Sequence, residues 1–390
     1  MLVSSSLVAS SAPFAIAQTR VERKAPLQLT EIQMSTRLSG WGEAYAGSNV
    51  QLLTTQNGGR LWRAVATVPG DGPMQYASDG QGWYATTSSG TRPYARVHFT
   101  TDWGVVWSIS SPLPLPVRRS DRLQLLFSPN TNVGWLDVTA GGMNSSQTLE
   151  LWRTTDGGAH WSFLSGANPT NILLSFENSR AGWGEWSHAG SPTAAEFVYP
   201  GGSRQSQLPA LFRTTDAGRT WQPEYVFVPR KLVADDGLAA ITGMTWFGQK
   251  GFMEVSFASD GLPYLKWGLY ATTDGGVRWS LHLVNGVRNN YGNQRVQVTF
   301  DTCSPQNLWE VVTRFDVPPG QAYVAKSSRL YHAGAITSRW TLVARTPVPF
   351  STVQFATPQL GFALGINGAL YDTANGGHSW RKIDAVQTSS

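Results

Sequence analysis

One cysteine, Cys303, occurs in 390 residues, so no intramolecular disulfide can form and cysteine-rich metal sites are excluded. A chain of this length needs no disulfide to fold, and the shortage leaves the compartment open. Charge is also sparse: Asp, Glu, Lys and Arg make up 14%, with a net charge of +5. That balance permits an anionic partner but lacks the dense basic stripe of a nucleic-acid binder, and no nucleic acid is expected. Beyond the first residues, no run of about 20 apolar residues is present to cross a membrane as a helix. No segment shows the apolar period of an amphipathic helix. The six histidines are scattered outside any metal spacing such as H-E-x-x-H. The G-x-S-x-G, P-loop and dinucleotide fingerprints are missing as well. On this basis no metal, no cofactor and no catalytic residue is assigned.

Glycine and proline are plentiful instead, at 40 and 22 residues, which suits many short turns, and 17 tryptophans call for an explanation. Much of it lies in a repeat. "TTDGGAHW" (Thr154–Trp161) recurs as "TTDAGRTW" (Thr214–Trp221) and "TTDGGVRW" (Thr272–Trp279), and more loosely as "TTDWGVVW" (Thr100–Trp107). Two copies carry asparagine for aspartate, "TQNGGRLW" (Thr55–Trp62) and "TANGGHSW" (Thr373–Trp380). A seventh, "AGAITSRW" (Ala333–Trp340), keeps little besides its tryptophan. A glycine-aromatic pair precedes each copy, at Gly40, Gly82, Gly134, Gly182, Gly251 and Gly361, with a worn "NLWEVVT" from Asn307. Each unit reads as four short strands, A to D, with B opening at the glycine-aromatic pair and D at the motif tryptophan. The expected fold is all-β: a seven-bladed β-propeller of four-stranded antiparallel blades over residues 27–386, followed by a tail at 387–390.

The opening "MLVSSSLVASSAPFAIAQTR" is small, apolar and uncharged, and reaches Ala15-Ile16-Ala17, an A-x-A type cleavage pattern without a positive n-region. Residues 1–26 are read as a leader, a truncated signal segment, and the chain as exported to the periplasm, cell surface or exterior. No cysteine lies near the cleavage pattern to carry a lipid.

Within the motif, the aspartate and threonine can bond backbone amides of their own C–D hairpin, and the second glycine supplies a positive φ. Asn57, Asp102, Asp156, Asp216, Asp274 and Asn375 are therefore turn formers. Trp62, Trp107, Trp161, Trp221, Trp279, Trp340 and Trp380 are expected to wedge between blades. An acid used in catalysis is not expected once per blade, and asparagine preserves the turn while losing the charge.

Strand parity places these clasps on the face of the A–B turns, with the B–C and D–A connections opposite. From the B-strand aromatic to the clasp tryptophan is 18 residues in the last blade (Phe362 to Trp380) but 38 in the fourth (Trp183 to Trp221). With strands of fixed length the surplus is B–C loop, so the working face is expected away from the clasps. Its candidate binding residues are Arg92, Tyr94, Arg96, Arg118, Arg119, Arg122, Tyr199, Arg204, Arg230, Lys231, Tyr264, Lys266, Trp267 and Arg288. Two residues after the B-strand aromatic, five blades carry an acid: Glu43, Asp137, Glu185, Glu254 and Glu310. These share a face and form an incomplete ring. One reading pairs them across blades with cations such as Arg153 and Arg213. The other makes them a cluster for a cation or glycan, or a glycosidase acid pair.

The repeat resembles the Asp-box, or BNR repeat, S/T-x-D-x-G-x-T-W, which Thr214, Asp216, Gly218, Thr220 and Trp221 match in full. Sialidases share it but need an arginine triad and an F/Y-R-I-P segment near the N-terminus; the nearest stretch, "RFDVPP" from Arg314, is out of order. Xyloglucanase-type hydrolases usually use two propellers. The last blade, "GFALGINGALYDTANGGHSW" (Gly361–Trp380), resembles the photosystem II assembly/stability factor family almost throughout. That resemblance implies a non-catalytic, exported propeller whose basic patch docks a membrane-protein partner, and a monomer; relatives also occur in bacteria without photosynthesis. The alternative expectation is a glycoside hydrolase or glycan-binding propeller using the carboxylate ring.

Overall fold

The computed structural model describes residues 27–69, 72–77, 79–88, 93–115, 120–128, 132–140, 148–165, 173–186, 210–224, 226, 237–259, 264–288, 294–316, 324–335 and 339–388. Blade 1 consists of β1 (Glu31–Met34), β2 (Gly40–Ala46), β3 (Asn49–Thr55) and β4 (Leu61–Pro69). Blade 2 holds β5 (Met74–Tyr76), β6 (Gly82–Ser88), β7 (Tyr94–Thr100) and β8 (Ser108–Ile109), with the short β9 (Leu113–Pro114) also paired to β7. Blade 3 is β10 (Ser120–Phe127), β11 (Gly134–Ala140), β12 (Thr148–Thr154) and β13 (Ser162–Ser165). Blade 4 is β14 (Leu173–Phe176), β15 (Gly182–Trp186), β16 (Ala210–Thr214) and β17 (Gln222–Glu224). Blade 5 is β18 (Gly237–Phe247), β19 (Lys250–Ser259), β20 (Tyr264–Thr272) and β21 (Ser280–Arg288). Blade 6 is β22 (Gln294–Ser304), β23 (Asn307–Asp316), β24 (Val324–Ala333) and β25 (Thr341–Arg345). Blade 7 is β26 (Phe350–Phe355), β27 (Gly361–Gly365), β28 (Leu370–Thr373) and β29 (Arg381–Ile383). The chain is thus a seven-bladed propeller of antiparallel meanders.

A ring must be closed, and here the first and last described segments close it. Strand β30 (Val386–Gln387) lies parallel to β4 on the outer edge of blade 1. Val386 N–H donates to Arg60 C=O (2.9 Å), Thr388 N–H to Trp62 C=O (2.8 Å) and Leu27 N–H to Ala385 C=O (3.1 Å). The propeller therefore extends through Thr388, two residues into the stretch expected as tail.

The clasps are repeated hydrogen-bond circuits. In blade 4, Thr214 Oγ1 donates to Asp216 Oδ1 (2.8 Å) and accepts from Gly218 N–H (2.9 Å), while Asp216 Oδ1 accepts from Thr220 N–H (2.9 Å). Blades 1 and 7 make the same bonds with Asn57 and Asn375. Two consecutive left-handed residues are needed rather than one: Ala217 (φ 67) and Gly218 (φ 91) in blade 4, Trp103 (φ 61) and Gly104 (φ 71) in blade 2. The second position is glycine for space as well, since a Cβ on Gly276 would sit 2.1 Å from the Trp183 ring. Thr214→Val orphans a buried amide and should cost about 1–3 kcal/mol of unfolding free energy. Asp216→Asn should cost far less, because Asn375 Nδ2 already donates to Ser379 Oγ (2.9 Å) where Asp216 accepts from Thr220 Oγ1. Denaturant titration of the two variants checks the contrast.

Most blade junctions share one construction. The B-strand aromatic stacks on the aromatic that ends the next A strand: Trp41 on Tyr76 (5.0 Å), Trp83 on Phe127 (3.9 Å), Trp135 on Phe176 (3.5 Å) and Trp309 on Phe355 (3.8 Å). Trp83 and Trp135 also donate their indole N–H to the next blade's clasp, at Gly157 C=O (2.7 Å) and Ala217 C=O (2.9 Å). A glutamine one residue before the A-strand aromatic adds a third tie. Gln75 bonds both the N–H and the C=O of Phe127, and Gln354 accepts from Met34 N–H (2.6 Å).

Strand length is not fixed around the ring. Blades 5 and 6 carry strands of 9 to 11 residues in β18 to β24, against 4 to 6 in β26 to β28. There the extra residues lengthen hairpins, so Tyr264, Lys266, Trp267 and Arg288 lie in strands and not in loops.

Candidate functional site

The B-strand acids whose side chains are described, Glu43, Asp137, Glu254 and Glu310, lie within the propeller wall. Glu43 of β2 is 7% exposed, faces Glu31 across the β1–β2 ladder, and accepts a hydrogen bond from Tyr76 Oη on β5 (2.7 Å). Glu310, fully buried on β23, accepts from Trp267 Nε1 on β20 (2.8 Å), and Asp137 on β11 is 3% exposed. Glu254 on β19 is hydrogen-bonded by Thr242 and lies beside Asp301 of β22. Glu185 lies on β15, where only its backbone is described. The expected arginine partners are used otherwise: the Arg213 guanidinium lies 5.5 Å over the Trp183 ring, and the Nε atoms of Arg153 and Arg213 are buried without a partner. Glu43 is thus satisfied from the next blade, Glu254 from its own and Glu310 from the preceding one. Glu310 follows Trp309 by one residue, so it lies on the face opposite that ring and the expected common face of the acids does not hold there.

Burial first, then the charge of Glu31, push Glu43 up to about 7 against the lowering effect of the Tyr76 hydrogen bond. A raised carboxyl binds more protons folded than unfolded, so its contribution is favourable at low pH and is lost as pH rises from about 4.5 through about 7. Thermal unfolding should weaken by about 2–3 kcal/mol over that window from this group. In Glu43→Gln, which keeps an acceptor for Tyr76, that part of the fall disappears; melting curves at several pH values check it.

Few of the cations expected on the loop face can be placed. Tyr94 and Arg96 both lie on β7, with the guanidinium 5.5 Å over the Tyr94 ring. Arg122, Tyr264, Lys266 and Arg288 are described by their backbone alone, and Arg92, Arg118, Arg119, Tyr199, Arg204, Arg230 and Lys231 fall outside the described residues. Trp267 is 4% exposed and committed to Glu310.

An open groove of about 690 Å³ lies on the other face, where blade 7 meets blade 1. Arg37 and Leu38 come from the β1–β2 turn, Asn57 and Arg60 from the blade 1 clasp, and Lys382 from β29. The clasp holds the turn in place, since Gly58 N–H donates to Leu38 C=O (2.8 Å). Arg381 is neutralised by a two-pronged bond to Asp372, Nε to Oδ1 being 3.0 Å. Arg37, Arg60 and Lys382 are exposed and have no ionic partner among the described residues, with Asp384 the one remaining acid in the lining. Leu38, 56% exposed, adds an apolar contact. Asn57 spends its Oδ1 on Thr55 and Leu61, which leaves its Nδ2 as an unused donor in the groove. Sequence reasoning missed this groove because its two sides lie more than 300 residues apart; the Asn57 exception to the aspartate pattern was its one visible trace.

No family model matches the chain, and no curated protein matches its sequence. Solved structures do match in fold. YCF48 bound to D1 peptide aligns over 90% of this chain and 95% of its own at 16% identity and a TM-score of 0.50. The uncharacterized protein lmo1340 from Listeria monocytogenes EGD-e aligns over 93% and 96% at 8% identity and the same score of 0.50. The α-L-arabinofuranosidase Arb93A from Fusarium graminearum aligns over 82% and 81% at 14% identity and a TM-score of 0.40. At these identities the likeness is one of fold alone.

Proposed function

We propose that this propeller is a non-catalytic scaffold that docks a protein partner in the cationic groove at its ring closure. The observation that carries the reading is the set of three unpartnered cations around Leu38 on a rigid, twice-tied seam. Unpaired cations flanking an apolar contact complement an acidic peptide segment with a hydrophobic side chain. YCF48, a propeller of similar fold, has been solved with a D1 peptide bound, so peptide docking lies within the range of this architecture. Glycoside hydrolysis needs two carboxyls open to a cleft, whereas the described B-strand acids are turned into blade walls. The leader pattern in residues 1–26 supports export, which puts the partner on the far side of the membrane from the site of synthesis.

Affinity capture from native membranes tests the reading by comparing three proteins: wild type, Arg37/Arg60/Lys382→Glu, and Arg118/Arg119/Arg122→Glu. A partner retained by wild type and the second variant but lost by the first supports docking at the seam. Loss by the second variant alone moves the site to the loop face, and retention by both removes the cationic reading.

A further inference from the structure

The junction between blades 5 and 6 lacks all three ties that recur elsewhere. Its B-strand aromatic is Phe252, which has no N–H to give to a clasp, and the clasp it would meet, at Ala333–Trp340, has lost the Thr and Asp of the circuit. The position that ends the A strand is Thr302 where five blades have Tyr76, Phe127, Phe176, Trp246 or Phe355 and blade 1 has Met34, so Phe252 has no ring to stack on there. Thr302 turns its hydroxyl to Ser304 C=O (2.7 Å) and Asn307 C=O (3.0 Å) of its own hairpin. The glutamine that ties a blade to the next, at Gln33, Gln75 and Gln354, is replaced in blade 5 by Thr245, for which no bond to blade 6 is seen among the described residues, while Asp301 of blade 6 keeps an acceptor for the tie toward blade 7. Its Oδ2 accepts from Phe355 N–H of blade 7 (2.5 Å).

What fills the junction is a cavity of about 100 Å³ in which Glu254 of blade 5 and Asp301 of blade 6 are both set, walled by Phe252, Leu269, Phe300 and Leu308. A glutamine at the Asp301 position offers a donor and an acceptor; a carboxylate offers acceptors only, and two carboxylates lining one small buried cavity, beside Thr245 and Thr302, repel. We propose that Glu254 and Asp301 form a proton-operated latch, closed while the pair holds a proton and the first junction of the ring to loosen when both carboxyls are charged. Burial holds both above the ordinary carboxylate range, and the Asp301 charge pushes Glu254 up further. Thr242 on Glu254, and the Phe355 and Thr302 amides on Asp301, act in the lowering direction. Among the described residues the other titratable group facing the pair is the Cys303 thiol, itself raised by burial and by Asp301. No described cation offsets either carboxyl. Nearby, Glu310 is held by Trp267 across the same interface.

Hydrogen exchange read by mass spectrometry, comparing wild type with Glu254→Gln at about pH 5.5 and again at about pH 8, tests the latch; at one pH the intrinsic rates cancel. At the higher pH, peptides from β19 and β22 should exchange about tenfold more slowly in the variant, with other blades unchanged and no difference at the lower pH. Equal exchange at pH 8, or slowing spread evenly around the ring, overturns the proposal. Should Glu254→Gln fail to fold, Asp301→Asn, which keeps an acceptor for Phe355, carries the same expectations.

Discussion

Trp135→Ala will lower the unfolding free energy by about 3–5 kcal/mol, the range for emptying a buried aromatic site. The ring is 0% exposed and stacks 3.5 Å from Phe176 of the next blade, so truncation opens a hole that two sheets cannot close without moving. Its indole N–H bond to Ala217 C=O is lost at the same time, leaving that carbonyl without this donor. Trp135→Phe separates the two losses: it keeps the stack and removes the donor, at a cost of about 1–2 kcal/mol. Phe252 and Phe362 show that the fold accepts phenylalanine at this position in two blades. Denaturant unfolding measures both, and a loss below about 1 kcal/mol for the alanine variant would mean that the junction stack contributes little.

Charge reversal at the seam groove should have a comparably large effect on binding and almost none on folding. Replacing Arg37, Arg60 and Lys382 together by glutamate turns three attractive contacts into repulsive ones, and partner affinity should fall at least about 100-fold. All three side chains are exposed and none has an ionic partner among the described residues, so the melting temperature should hold. Asn57→Asp is the finer probe. The clasp geometry already accepts aspartate in blades 2 to 5, so the substitution adds one negative charge to the groove and leaves the turn intact. Binding should weaken about 5- to 10-fold and become less salt-dependent. Titration calorimetry at two ionic strengths reads both effects.

The fold was readable because each blade repeats the same two local solutions. A clasp needs a threonine, an Asp or Asn and a glycine at fixed spacing, and a junction needs an aromatic after a glycine, so Thr214–Trp221 and Gly134–Trp135 announce themselves. Strand length was not readable, because alternation continues through Tyr264–Thr272 without marking where a loop ends. The acid positions were visible at Glu43, Glu254 and Glu310, but their partners were not. Tyr76 and Trp267 become neighbours only through sheet stacking, and Thr242 through a bulge in the β18–β19 pairing, whereas charge alone points to Arg153 and Arg213. The seam groove lay further out of reach, since Arg60 and Lys382 meet only when β30 closes the ring onto β4. The weak junction left traces at Thr245, Phe252, Thr302 and the worn clasp, which acquire meaning once the stacked junctions define what is missing.

Docking at the seam is tested most directly by a photo-reactive amino acid placed at Leu38 in the groove, with a second protein carrying it at Tyr45, which is 75% exposed on the opposite face. Irradiation in native membranes should yield a discrete cross-linked partner from position 38 that is lost on adding the Arg37/Arg60/Lys382→Glu substitutions. Cross-linking from position 45 alone, or a product at 38 that survives the charge reversal, would contradict the seam as the docking site.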